Sequence, residues 1–261
     1  MKKKFQISIV FIAVGYLILT AGLYYFQDSI IFQSKKLDNS YTFSFEEPFY
    51  EIEIKNKTGF INALLFNPPI SEPKGTILYF HGNADNLQRW GNYAVDFTKL
   101  GYQVIMIDYS GFGKTEGVAS EEILYQNAED VWLWAQHHLE VKNFIIYGRS
   151  LGTGVATYLA MKHAANQLIL ETPFYQLKQD RLKPLFPFGL KHKFANFENI
   201  PQIDYPITII QGTNDCIVSI KSASKLKPLL KPTDGFFEIE GGGHKNLREF
   251  EEYHQILAKI L

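Results

Sequence analysis

The stretch Gly148-Arg149-Ser150-Leu151-Gly152 constrains this chain more than any other segment, because of what lies on either side of it. An apolar run at residues 144–147 leads in, and a small-residue stretch at residues 153–160 leads out. A serine between a buried strand and a helix, with a glycine two positions away on each side, is the nucleophile-elbow pattern. The turn is so sharp that a side chain at either glycine meets neighbouring backbone. The serine hydroxyl is left protruding above a helix N-terminus. Five residues of this kind also arise by chance, so the surrounding chain has to carry the reading.

That surrounding chain alternates. Residues 49–54 and 60–66 read as an opening pair of strands, and the runs 76–80, 102–107, 144–147, 167–170, 207–211 and 236–239 as further strands. Continuous apolar runs such as 76–80 fit strands buried on both faces of a parallel sheet. Helices are expected over residues 87–100 and from the elbow to about residue 163. Ser120 caps another, with Leu124, Ala128, Val131, Ala135 and Leu139 on one face. Two more are expected at residues 219–230 and at the end, where Leu247, Phe250, Tyr253, Leu257 and Ile260 recur. Such βα alternation predicts an α/β fold with a mostly parallel central sheet and helices on both faces. Residues 172–205 break the rhythm with four prolines and clustered Phe and Lys.

With 261 residues, 46% of them hydrophobic, the chain can build one sizeable core, so residues 29–261 are expected to form a single domain. A net charge of −1 gives no electrostatic reason for a nucleic-acid partner. Cys216 is the only cysteine, which excludes an intrachain disulfide and a thiolate metal cluster. No H-E-x-x-H or other paired metal-ligand spacing occurs, so no metal and no cofactor is expected. Gly113-Lys114-Thr115 resembles the end of a phosphate-binding loop, but Asp108 stands where that motif needs glycine. Gly111, Gly113 and Gly117 are spaced one residue too far for a dinucleotide fingerprint.

The N-terminus stands apart. Lys2-Lys3-Lys4 precede the uncharged residues 5–26, which Asp28 closes. As a helix, that run spans a hydrocarbon core and exceeds the usual apolar region of a cleaved signal peptide, the rival reading. Residues 1–28 are therefore expected to be a single-pass membrane anchor, with the lysines inside and the body outside the cytoplasm.

A serine hydroxyl becomes nucleophilic when a base takes its proton and an acid orients that base. In a parallel sheet these groups come from loops at the C-terminal ends of strands, where crevices form. Asp215 follows the 207–211 run, and His244 follows 236–239 through Gly241-Gly242-Gly243, a loop flexible enough to swing an imidazole over the sheet. The order Ser150, Asp215, His244 is one of the known triad orders. Glu171, one strand earlier, is a rival for the acid. An oxyanion needs two backbone N–H donors. Leu151 supplies one, directly after the serine. Asn83 supplies the other, in the loop His81-Gly82-Asn83 after the 76–80 run.

These residues resemble the α/β-hydrolase superfamily, and more narrowly its membrane-anchored serine hydrolases. The resemblance is carried by HGNADN at 81–86, DYSGFGKTEG at 108–117, YGRSLGTG at 147–154, ETPF at 171–174 and GTNDCIV at 212–218. It implies Ser150 as nucleophile, Asp215 as acid, His244 as base, and Asn83 and Leu151 at the oxyanion hole. It also implies hydrolysis of carboxylic esters or thioesters through an acyl-enzyme, with an aminopeptidase-like activity as the alternative. A non-catalytic binding module is a further alternative, which the complete set of reactive residues opposes. Ser219 departs from the proline usual there in relatives, a position that shapes the loop without reacting.

The 172–205 insertion falls where this fold carries its lid. Leu185, Phe186, Phe188, Leu190, Phe194 and Phe197 either line an acyl pocket or pack the lid onto the core. Lys178, Arg181, Lys183, Lys191 and Lys193 against Asp180, Glu198 and Asp204 leave it slightly basic. The expected partner is a small-molecule or lipid-like acyl substrate.

Overall fold

Eight strand segments meet in one sheet, and their order decides where a site can form. The computed structural model describes residues 2–57, 59–141, 143–177 and 189–261. The strands are β1 (Phe49–Asn56), β2 (Gly59–Phe66), β3 (Thr76–Phe80), β4 (Gln103–Ile107), β5 (Phe144–Arg149), β6 (Gln167–Glu171), β7 (Ile207–Gly212) and β8 (Gly235–Ile239). Their spatial order is β8-β7-β6-β5-β3-β4-β2-β1. β1 and β2 pair antiparallel, as do β2 and β4, and every other neighbouring pair is parallel. The chain leaves β3 for β4 on one side and then crosses back to β5 on the other. That reversal is the topological switch point of an open α/β sheet, outside which a crevice opens at the strand ends.

Alternate side chains of the strands enter two cores. Leu78, Phe80, Ile146, Leu168 and Ile209 lie in the core beneath helices α2 (Glu121–His138) and α3 (Leu151–Lys162). Ile77, Tyr79, Ile145, Ile169 and Ile210 lie in the other, with Leu87, Phe97 and helix α4 (Glu251–Ile260). A period of two with both faces covered accounts for the unbroken apolar runs. The mostly parallel sheet with helices on both faces is thus the expected one.

Helix α2 begins as its sequence implies, with Ser120 Oγ accepting from Ile123 N at 3.2 Å. Two other expected helices are broken up. Residues 87–100 form Leu87–Trp90, a 3₁₀ turn at Gly91–Tyr93 and Val95–Thr98. The Phe45 ring packs directly against Gly91, leaving no room for a Cβ and placing the weakest common helix former mid-run. Residues 219–230 form one α-turn, Ile220–Ala223, and a 3₁₀ segment, Ser224–Leu229, containing Pro228. Proline removes a helical N–H donor there.

Helix α1 (Lys2–Ile31) is long and apolar enough between Gln6 and Ile31 to cross a membrane, and its side chains from Gln6 to Leu19 are exposed. Residues 178–188 of the insertion, with Lys178, Asp180, Arg181, Lys183, Leu185, Phe186 and Phe188, lie outside the described residues. The rest of it carries a helical turn, Asn196–Asn199, and a 3₁₀ turn, Ile200–Gln202.

Candidate active site

Ser150 sits between β5 and α3 at φ 52° and ψ −117°, a left-handed conformation that a non-glycine residue rarely holds. The flanking glycines are close-approach positions. A Cβ at Gly148 falls 2.5 Å from Gly152 O and 2.6 Å from the Ala156 Cβ, and one at Gly152 strikes the backbone of Phe80 and His81. The backbone N–H of Ser150 donates to Glu171 O at 2.9 Å, tying the elbow to the end of β6.

His244 Nε2 lies 2.8 Å from Ser150 Oγ, and His244 Nδ1 lies 2.8 Å from Asp215 Oδ2. A carboxylate can only accept, so Nδ1 carries the proton and Nε2 presents its lone pair to the serine hydroxyl. The Asp215 side chain is fully buried and held by three further donors. Its Oδ1 accepts from Ile217 N at 2.8 Å and Val218 N at 2.7 Å, and its Oδ2 from Gln211 Nε2 at 3.2 Å. Those bonds fix the direction of the carboxylate.

The glycines before His244 serve packing rather than mobility. Thr213 N donates to Ile239 O at 3.0 Å, Asn214 N to Gly242 O at 2.8 Å and Gly241 N to Thr213 Oγ1 at 2.9 Å. The Asp215 and His244 loops are laced together, and a side chain on Gly212 would strike Gly242 O.

Glu171, the rival acid, has other partners. Its Oε1 is 3.2 Å from Arg149 Nε and its Oε2 accepts from Tyr147 OH at 2.6 Å. Burial pushes the Tyr147 hydroxyl well above the ordinary tyrosine range, so it stays protonated and donates. Arg149 Nη2 in turn donates to His244 O at 3.3 Å, and its guanidinium lies over the Tyr93 ring. This buried pair behind the elbow went unread in the sequence, where Arg149 is only the variable position of a pentapeptide.

Asn83 and Leu151 line one cavity of about 460 Å³ with Ser150. Trp90 Nε1 donates to Ala84 O at 2.7 Å and Tyr109 OH to His81 O at 3.0 Å, which hold the Asn83 loop against β3. Phe174, Tyr175, Leu177, Ile217 and Val218 supply apolar wall. Of the insertion's expected pocket residues, Leu190, Phe194 and Phe197 are described, and none is among the lining residues. Phe194 is fully buried against Gly154 and Tyr125, and Phe197 stacks on Tyr175 at 4.6 Å. These two phenylalanines pack the insertion onto the core. Among the described residues, no group of three or more His, Cys, Asp or Glu is arranged to hold a metal ion.

The arrangement can take a proton from a hydroxyl and deliver the resulting oxygen to a carbon placed in the cavity. Known proteins match it in both sequence and fold. A family model described as serine aminopeptidase, S33, matches residues 71–199. Lysophosphatidylserine lipase ABHD12 of Rattus norvegicus is 30% identical over 245 residues, covering 79% of this chain and 59% of that protein. Alpha/beta hydrolase domain-containing protein 17B of Homo sapiens is 28% identical over 196 residues, covering 72% of this chain and 66% of that protein. This chain thus spans about three fifths of the length of the lipases it matches. Among solved structures, an esterase of Pyrococcus furiosus superposes with a TM-score of 0.68 at 15% identity, covering 88% of this chain and 97% of that one. An alpha-beta serine hydrolase homologue from Coxiella burnetii gives 0.66 at 20% identity, covering 85% and 100%. Sequence relatives, shared fold and elbow agree: the chain belongs to the α/β-hydrolase superfamily.

Proposed function

We propose that this protein is a membrane-anchored serine hydrolase that cleaves carboxylic ester or thioester bonds of lipid-like acyl substrates. The observation that carries the reading is the hydrogen-bonded series Asp215–His244–Ser150 opening into a cavity with both apolar and polar walls. Ser150 Oγ attacks the acyl carbon while His244 Nε2 takes its proton. Asp215 holds the imidazole in the tautomer that can accept. The oxyanion is met by the amides of Leu151 and Asn83, which lie on the two sides of the switch point between β5 and β3. His244 then returns the proton to the departing alcohol or thiol, and water releases the acyl group from Ser150 by the same steps in reverse role. α1 anchors the body, with residues 29–261 as the catalytic domain outside the cytoplasm, the 172–205 insertion as its lid, and the lysines inside.

The lipase relative supports a lipid or ester substrate, and the match to the serine aminopeptidase family supports peptide hydrolysis as a second reading. The lipase relative favours the ester. Matched ester and amide substrates of one acyl group, assayed with the full chain in detergent, separate the two. Faster turnover of the amide would overturn the ester assignment.

A further inference from the structure

The end of the membrane segment belongs to the walls of the cavity. Immediately after α1, Gln33 N donates to Asn83 O at 2.9 Å, and Asn83 Nδ2 donates back to Ile31 O at 2.9 Å. Gln33–Ser34 runs parallel to Ala84–Asp85 as a two-residue ladder, which an ion pair between Lys35 and Asp85 continues. The other side of the same turn meets the described end of the insertion. Gln27 Oε1 accepts from Lys191 N at 2.6 Å, Asp28 Oδ1 lies 2.8 Å from His192 Nε2, and Phe32 packs edge-on to the His192 ring. Gln27, Ile31 and Phe32 are buried. A segment that only tethered the body would need none of these contacts.

Ile30 and Ile31 line the cavity that holds Ser150. One turn earlier, Tyr25 and Phe26 are exposed. At the helical rise of 1.5 Å per residue, Ile30 lies roughly 6 Å along the axis from Phe26. Tyrosines such as Tyr24 and Tyr25 settle at the membrane–water boundary. The apolar cavity wall therefore runs on into the helix surface that enters the bilayer.

We propose that the last turn of α1 is a specificity-determining wall of the substrate site. Ile30 and Ile31 contact the acyl chain of an amphiphilic ester that reaches Ser150 from the bilayer along the helix, and the Gln33–Asn83–Ile31 bonds position the oxyanion loop. This rests on the serine-hydrolase reading above.

The test uses the full chain in phospholipid nanodiscs. A fluorophosphonate with a long alkyl chain ending in a diazirine is attached to Ser150 and photolysed. Cross-links within residues 27–33 are expected, and cross-links confined to other walls overturn the proposal. Ile30→Trp fills the wall and excludes roughly two methylenes, each worth about fourfold in binding. The ratio of kcat/KM for dodecanoyl over butyryl esters should fall by roughly ten- to twentyfold. Ile12→Trp, on the exposed stretch of α1, should leave that ratio unchanged. An unmoved ratio in Ile30→Trp, with Ser150 still labelled by a short-chain fluorophosphonate, overturns the wall alone. A wild-type protein that the short probe does not label overturns the hydrolase reading, and the wall with it.

Discussion

His244 Nε2 lies 2.8 Å from Ser150 Oγ although 94 residues separate the two along the chain. The contact exists because β5, β7 and β8 are parallel, so their following loops emerge on one edge of the sheet. Asp215, on the loop after β7, bridges toward His244 from the strand lying nearer to β5. The sheet order converts three distant residues into one hydrogen-bonded path.

If that path is catalytic, Ser150→Ala and His244→Ala lower kcat by about 10⁴-fold or more and abolish fluorophosphonate labelling, with thermal unfolding preserved. Asp215→Asn should cost about 10⁴-fold in kcat, because an amide no longer enforces the reactive tautomer. Glu171→Gln should act mainly on stability. A larger kcat loss from Glu171→Gln than from Asp215→Asn would reverse the two acids' roles.

Gly152→Ala places a methyl against the backbone of Phe80 and His81, where no flexible side chain can yield. Overpacking of this kind costs about 1–3 kcal/mol. Urea unfolding of the full chain in detergent should show that loss, together with reduced labelling as the elbow shifts.

Arg149→Leu leaves Glu171 buried without its cation, at a cost of about 3–5 kcal/mol. The double variant Arg149→Leu with Glu171→Leu removes both charges and should lose less than the single one. Unfolding midpoints of the two decide it, and equal losses would mean that the pairing is not what matters.

Burial pushes the Asp108 carboxyl above its ordinary value of 3.8. The folded protein thus holds that proton more tightly than the unfolded chain does. Its stabilising contribution is complete below pH 3.8 and is lost as pH rises through the elevated folded value. Asp108→Asn keeps an acceptor for Leu87 N, which donates to Asp108 at 3.0 Å, and removes the titration. Its Tm relative to wild type should rise from acid toward neutral pH, whereas parallel Tm curves would contradict the assignment.

Ser219 has φ −60°, which a proline ring adopts without strain. Ser219→Pro should stabilise by about 0.4–1 kcal/mol by narrowing the unfolded ensemble. A lowered Tm would show that the loop needs the serine.

Local signals were legible in the sequence. The elbow glycines, the Ser120 cap, the apolar strand runs and the length of α1 each act within a few residues, so chain order alone reports them. The triad candidates were readable because they sit just past strand ends, and strand ends are local too. The Leu87–Trp90 break was hidden because its cause, Phe45 on Gly91, lies more than forty residues away. Gly241-Gly242-Gly243 looked flexible and is pinned, because Asn214 N and the Thr213 hydroxyl bond to it and a Cβ at Gly242 would meet Leu247 and Ile239.

By itself, then, the sequence determined the segments, the turn that exposes Ser150 and a set of residues able to react. Only the tertiary structure decided that His244 meets Asp215 while Glu171 pairs with Arg149, and that α1 ends against the Asn83 loop. The reason is physical. Strand and helix formation follow from short-range sterics and burial, whereas partners are chosen by strand order, which brings together residues that the chain keeps dozens of positions apart.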